Sequence, residues 1–260
     1  MSELKTEIYL LGTGCAIPQK KRAGPAVLLI ADSTGSKEII LFDLGRGTLD
    51  KLANLDIDFT LLDYLLFTHY HPDHTAELVN LLFAYRDTRF GRKREKEFFI
   101  YGPKGLLNFY NNLCKVYNSK INADNYTLFI KEIEKEIFTS STKISFQPVE
   151  HTEESIGYRV TLKNGKAFVY SGDTGYSRGI VNLANNADLL LLECAFPEEY
   201  KKEDHLTPSL AGQIAAEAKV KKLVLTHFYP LFQGINIYDR CRKYYSGEIV
   251  IGEDLMRFTI

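Results

Sequence analysis

Short apolar runs, separated by turn residues, recur along the chain. Ile8 to Leu11, Ala26 to Ala31 and Glu38 to Asp43 have strand length and are divided by Pro, Gly and Ser clusters, so the pattern predicts three early strands. Arg46 to Leu55 reads as a helix and Tyr64 to Thr68 as a buried strand. Leu78, Leu81, Leu82 and Tyr85 fall at helical spacing and predict a helix beginning near Asp73. Phe98 to Tyr101 predicts a strand, and Leu106, Phe109 or Tyr110, Leu113 and Tyr117 a second helix. Strands dominate from Thr127 to Ser171. Asp188 to Glu193 reads as a buried strand ending in an acid. Pro208 to Lys219 reads as a helix with Thr207 as its N-cap and Pro208 in its first position. Lys222 to Thr226 and Glu248 to Ile251 are further strands, with a helix between them.

One internal echo stands out. Leu65 to Pro72 and Leu223 to Pro230 both run from a buried strand into Thr-His-aromatic-x-Pro. The echo predicts one domain, residues 1–260, built from two similar halves that each deliver a histidine from a strand end.

The first of those histidines opens the densest chemistry in the chain, His69-Tyr70-His71-Pro72-Asp73-His74. An extended backbone points His69 and His71 the same way. Asp73 and His74 follow where the chain turns into a helix and face a second point a few Å off. Two adjacent metal ions sharing nitrogen and oxygen donors would satisfy all four residues. The bland alternative makes Asp73 a helix cap and the histidines solvated. It leaves three imidazoles unpaired beside a buried strand. The other histidines are His151, His205 and His227, the last ending a buried strand. Asp173 adds a carboxylate at a strand end, where a plain Asx turn is the competing reading.

Composition narrows the classes. The 260 residues are 45% hydrophobic and 25% charged with a formal net charge of −1, which excludes disorder and any global basic field. No apolar run approaches the ~20 residues that cross a bilayer. Residues 1–6 are polar without a secretory pattern, and Cys15, Cys114, Cys194 and Cys241 are far apart. A cytoplasmic protein with reduced thiols is expected. Locally, Arg86 to Lys96 carries Arg86, Arg89, Arg92, Lys93, Arg94 and Lys96 against Asp87 and Glu95, and Lys20, Lys21 and Arg22 form a second group. These read either as a phosphate-steering rim or as solvated surface. Tyr85 and Phe90 stack a base on the first reading and simply pack on the second.

Together these residues resemble the metallo-β-lactamase superfamily, with the nearest likeness to its ribonuclease Z-like branch. Leu11-Gly12-Thr13-Gly14 resembles the first glycine loop, and Phe42-Asp43-Leu44-Gly45 the second motif. His69 to His74 resemble H-x-H-x-D-H. His151 with Gly157-Tyr158-Arg159, Ser171-Gly172-Asp173-Thr174, His227 and the tail Gly247 to Ile260 complete the set in order. The resemblance implies an α/β fold, a four-layer αββα sandwich with the site at one edge between two sheets. It implies two divalent metal ions, zinc by default with manganese or iron as alternatives. His69, His71 and His151 would bind one ion and Asp73, His74 and His227 the other, with Asp173 bridging. A hydroxide shared by the two ions would attack the substrate, and Asp73 would orient it. His205 would protonate the leaving group, paired with Glu193, which otherwise reads as a strand-end acid in solvent. A homodimer is also implied.

The expected function is a metal-dependent phosphodiesterase acting on a small phosphodiester, a nucleotide or RNA, with no membrane partner. Only 21 residues separate His151 from Asp173. That is room for a hairpin but not for the tRNA-gripping arm that ribonuclease Z carries there. Arg22-Ala23-Gly24-Pro25 and Asp73-His74-Thr75 look more like arylsulfatase-type members, so an ester hydrolase is the alternative activity. A metal-stabilised binding module with little activity is the alternative of another class. Lactamase activity is disfavoured, because Asp173 replaces the sulfur ligand of those relatives.

Overall fold

The computed structural model describes residues 6–33, 36–86, 94 and 96–260. The first half runs β1 (Thr6–Gly12), β2 (Ala26–Ser33), β3 (Ser36–Phe42), α1 (Thr48–Asn54), β4 (Tyr64–Leu66), α2 (Pro72–Thr75), α3 (Leu78–Arg86), β5 (Phe98–Gly102), α4 (Leu106–Tyr117) and β6 (Leu128–Glu132). The second runs β7 (Ile137–Phe138), β8 (Thr142–Pro148), β9 (Ile156–Leu162), β10 (Ala167–Tyr170), α5 (Arg178–Leu183), β11 (Leu189–Glu193), α6 (Pro208–Glu217), β12 (Lys222–Thr226), α7 (Ile237–Arg242) and β13 (Glu248–Ile251), followed by β14 (Arg257–Thr259).

Two seven-stranded sheets result, in the orders β14-β1-β2-β3-β4-β5-β6 and β13-β12-β11-β10-β9-β8-β7. In the first, β3 to β6 are parallel and the rest antiparallel. In the second, β10 to β13 are parallel and the rest antiparallel.

The apolar run Leu189 to Leu192 shows why the sheets stack. Leu189 and Leu191 face the core between the sheets, with Phe42, Leu66, Phe168 and Val224. Leu190 and Leu192 face the opposite way, onto α5 and α6. A strand buried on both faces reads as a continuous apolar run rather than an alternating one. The outer face of the first sheet is covered in the same manner by α1, α3 and α4 through Leu52, Leu81 and Leu106. The layers are therefore helix, sheet, sheet, helix, the αββα sandwich expected. Thr207 caps α6 by accepting from the Leu210 N–H, as its sequence predicts.

Some boundaries differ from the sequence reading, each for a local reason. The helix expected from Asp73 is broken into α2 and α3. Leu44 inserts between them, donating to the His74 carbonyl (2.7 Å) and accepting from the Glu77 N–H (3.1 Å). Glu77 accepts from the N–H groups of Gly47 and Leu49 at the start of α1, which begins at Thr48 rather than Arg46 because Gly47 is left-handed at φ +86°. The tail from Gly247 holds two strands in different sheets, since β13 pairs with β12 and β14 with β1. Helix α5 has no counterpart in the sequence reading. Its six residues are too few to display a period.

The basic stretch needs a correction. Arg94 is fully buried. It donates to the carbonyls of Thr60, Leu62 and Glu97 and lies over the rings of Tyr85, Phe98 and Tyr126. Arg86 pairs with Asp124 and Lys96 with Asp63. Tyr85 is buried beneath Arg94 and is not available to stack a base. Asp87, Arg89, Phe90, Arg92, Lys93 and Glu95 lie outside the described residues. Arg94 thus acts as an internal clasp. Arg94→Ala is expected to cost roughly 2–4 kcal/mol, through three carbonyls deprived of their donor and a cavity among the rings. Urea unfolding measures this directly, and an unchanged midpoint would remove the clasp.

Candidate active site

Asp43 organises the centre from the end of β3. It is fully buried at φ +55°. It accepts from the Thr68 N–H (2.8 Å), the Thr68 hydroxyl (2.9 Å) and the Tyr170 hydroxyl (2.9 Å), and it holds His74 Nδ1 at 2.8 Å. One carboxylate thereby fixes the exit of β4, the end of β10 and a histidine of α2. The sequence reading placed Asp43 in a motif but gave it no role. An acid closing the buried run Ile39 to Phe42 was the available signal.

From that anchor the chain presents its imidazoles in two groups. His69 leaves β4 buried, with Nδ1 3.0 Å from the Thr68 hydroxyl. Pro72 opens α2, which carries Asp73 and His74, and the His74 ring packs 4.2 Å from that of His69. His151, in the loop after β8, brings Nε2 within 3.0 Å of His71 Nδ1, and its own Nδ1 lies 3.1 Å from the Asp204 carbonyl. His227 leaves β12 at φ +60°, a conformation rare for a residue with a Cβ.

Asp173 lies between the groups. Its Oδ1 is 3.1 Å from His74 Nε2 and 3.2 Å from His227 Nε2, while Oδ2 is 3.9 Å from His69 Nε2 and 3.8 Å from His151 Nε2. Gly172 makes this placement feasible. Its φ is +60°, and a Cβ there would stand 2.7 Å from the Thr68 Cβ. Donor atoms of His69, His71, His151 and Asp173 lie within 4.8 Å of one another, as do those of Asp73, His74 and His227.

These groups fit divalent cations on the chemistry of their donors. His69 Nε2, His74 Nε2, Asp173 Oδ1 and both ring nitrogens of His227 are buried without a hydrogen-bond partner. So many orphaned polar atoms in one spot are costly unless something binds them. His69, His74 and His151 each have the outward ring nitrogen engaged and the inward one facing the others, the usual arrangement of metal-bound imidazoles. Burial and the neighbouring His74 push His69 well below its ordinary value, so it stays neutral, the form that ligates. Burial pushes the Asp173 carboxyl up, but His227 and His74 outweigh it and hold Asp173 well below the usual carboxylate range.

His205 precedes α6, and its ring lies 5.8 Å from that of His227 at 12°. Glu193 Oε1 is 2.6 Å from His205 Nδ1. Glu193 also accepts from the N–H groups of Thr174, Ala195 and Leu206. It is wholly buried, not a strand-end acid in solvent. Burial pushes His205 down, but Glu193 outweighs it and raises His205 to about 9. On the other side, Arg22 is committed to structure. It donates to the Thr13 hydroxyl and the Gly252 carbonyl and lies over the Phe228 ring, so it belongs to no free basic rim.

Two sheets, a shared edge and this cluster of histidines and aspartates define a β-lactamase-fold protein. Residues 40–228 match the β-lactamase superfamily domain, and the chain belongs to that superfamily. Among curated relatives, a ribonuclease Z from Borreliella afzelii is 28% identical, covering 96% of this chain and 95% of its own. Its alignment spans 316 positions against 260 residues here, so it carries segments this chain lacks. Among solved structures, the metallo-β-lactamase fold protein YhfI from Bacillus subtilis superposes with a TM-score of 0.85 at 23% identity, covering 98% of this chain and 100% of that one. The short form of human tRNase Z superposes at 0.75 and 24% identity, over 97% and 98% of the two chains.

Proposed function

We propose that the chain is a metal-dependent phosphodiesterase of the ribonuclease Z-like type. The observation that carries this reading is the set of buried, unpartnered imidazole nitrogens of His69, His74 and His227 gathered with Asp173 Oδ1. Relatives named ribonuclease Z align along nearly the whole chain and support the reaction class. His69, His71 and His151 would hold one divalent ion and Asp73, His74 and His227 a second, with Asp173 between them. Ions so held supply Lewis acidity, lowering the pKa of water toward about 7 and neutralising charge on a phosphoryl oxygen.

The chain's own residues do the rest. Asp73, with Oδ2 3.5 Å from His227 Nε2, accepts a hydrogen bond from the attacking water and orients it. Glu193 holds His205 protonated at neutral pH, and His205 Nε2 delivers its proton to the departing oxygen. Only the hairpin of β9 and β10 occupies the stretch between His151 and Asp173. Short or unpaired phosphodiesters therefore suit this site better than a tRNA held by an arm. Nitrogen and oxygen donors favour zinc. Four free thiols favour a reducing, cytoplasmic setting, and no helix among the described residues is long and apolar enough to cross a membrane. A homodimer is carried by family likeness alone.

The test is hydrolysis of bis-p-nitrophenyl phosphate by zinc-loaded protein, with a chelated control. Turnover that disappears on chelation and returns with metal is expected. Two bound equivalents without turnover, together with release of p-nitrophenol from p-nitrophenyl sulfate, would transfer the assignment to an ester hydrolase.

A further inference from the structure

The loops that carry the histidines also line a cleft of about 500 Å³ that the reaction has not used. Its walls are Tyr70, between His69 and His71, Glu153 and Glu154, just past His151, and Lys104, Asn108 and Asn112 from the β5–α4 region. The cleft therefore lies at the carboxyl ends of β4 and β5, where open α/β sheets bind their ligands. It adjoins the metal-ligand candidates through two separate loops.

Its floor is rigid. The Tyr70 ring stacks on Phe109 at 5.2 Å and 22°, and its hydroxyl donates to the Pro103 carbonyl. Gly105 turns the chain beneath it at φ +105°, a conformation only glycine adopts freely. The rim is polar, and its charged side chains are uncommitted. Lys104, Glu153 and Glu154 have no hydrogen-bond or ion-pair partner among the described residues. Asn108 and Asn112, one helical turn apart, add two amides to one wall, with Asn112 Nδ2 donating to Asn108 Oδ1 at 3.5 Å.

A rigid aromatic floor with carboxylate acceptors suits a flat heteroaromatic ring bearing N–H groups. It does not suit a second phosphate, which two unpaired glutamates would repel. We propose that this cleft is a nucleobase subsite, holding the base next to the scissile phosphate and preferring guanine, with its adjacent N–H donors, over uracil. The proposal rests on the phosphodiesterase reading. It adds a substrate class, an unpaired nucleotide, whose phosphate the metal-ligand groups would take and whose base the Tyr70 cleft selects.

The test compares the p-nitrophenyl esters of guanosine and uridine 5′-monophosphate on zinc-loaded protein, for the natural chain and for Glu153→Gln/Glu154→Gln. The guanosine ester is expected to lead in kcat/KM by about tenfold to hundredfold, the discrimination of one bidentate pair, expressed mainly in KM. In the double variant the ratio is expected to fall to near one. A ratio near one in the natural chain, or a ratio that survives the double variant, overturns the subsite. If neither ester turns over, the phosphodiesterase reading fails, and calorimetric titration with guanosine and uridine judges the cleft separately. Preferential guanosine binding that the double variant loses would support the subsite, and equal or absent binding would overturn it.

Discussion

Replacing His69 and His227 together by alanine is expected to empty the site of metal and to lower turnover by about 10⁴-fold or more. The magnitude follows from the chemistry removed, since bound divalent ions lower the pKa of water to about 7. Each substitution strikes a different donor group, His69 that of His71 and His151, His227 that of Asp73 and His74. The fold should survive. Among the described residues, neither ring nitrogen of His227 has a hydrogen-bond partner, and the hydrogen bond that His69 would lose is the one between its Nδ1 and the Thr68 hydroxyl. The measurement is metal content by atomic emission after dialysis, with circular dichroism as the folding control. Two retained equivalents would sink the ligand assignment.

The second large effect separates proton delivery from metal binding. His205→Ala is expected to keep both metal equivalents and to lower kcat by roughly 10²–10⁴-fold on esters with alkoxide leaving groups. On p-nitrophenyl esters the loss should nearly vanish, because p-nitrophenolate departs without a proton. The geometry behind this is the 2.6 Å contact of His205 Nδ1 with Glu193, which leaves Nε2 as the proton-bearing atom toward the site. Equal losses on both classes of leaving group would make His205 a structural residue.

The layers and the site differ in how far the sequence reveals them. Buried strands such as Leu189 to Glu193 are legible because continuous apolar runs have one common structural use. The His69 to His74 cluster is legible because its spacing is local. Bringing Asp173 between His74 and His227 is tertiary. It depends on Gly172 turning beneath Thr68 and on His227 accepting φ +60°, neither of which a linear pattern announces. Arg94 shows the opposite failure. Its neighbours in the sequence are charged, so it reads as surface, while its partners are carbonyls and rings from distant segments. Asp43 was visible as a residue but not as an organiser, since Thr68, His74 and Tyr170 reach it from three different elements. The cleft beside Tyr70 was not legible at all. Its walls come from three loops and helix α4, with no shared motif.

Asp254, just before β14, accepts from Thr13 across 241 positions and from Ala23 across 231. The Thr13 carbonyl in turn accepts from the N–H of Phe228, next to His227. On a ribosome adding about 5–20 residues per second, the first glycine loop waits roughly 10–50 s for this partner to be made. His227 is made 27 residues before Asp254, so its neighbourhood lacks this brace for roughly 1–5 s. Any chaperone or premature metal ion meets a half-made site in that interval.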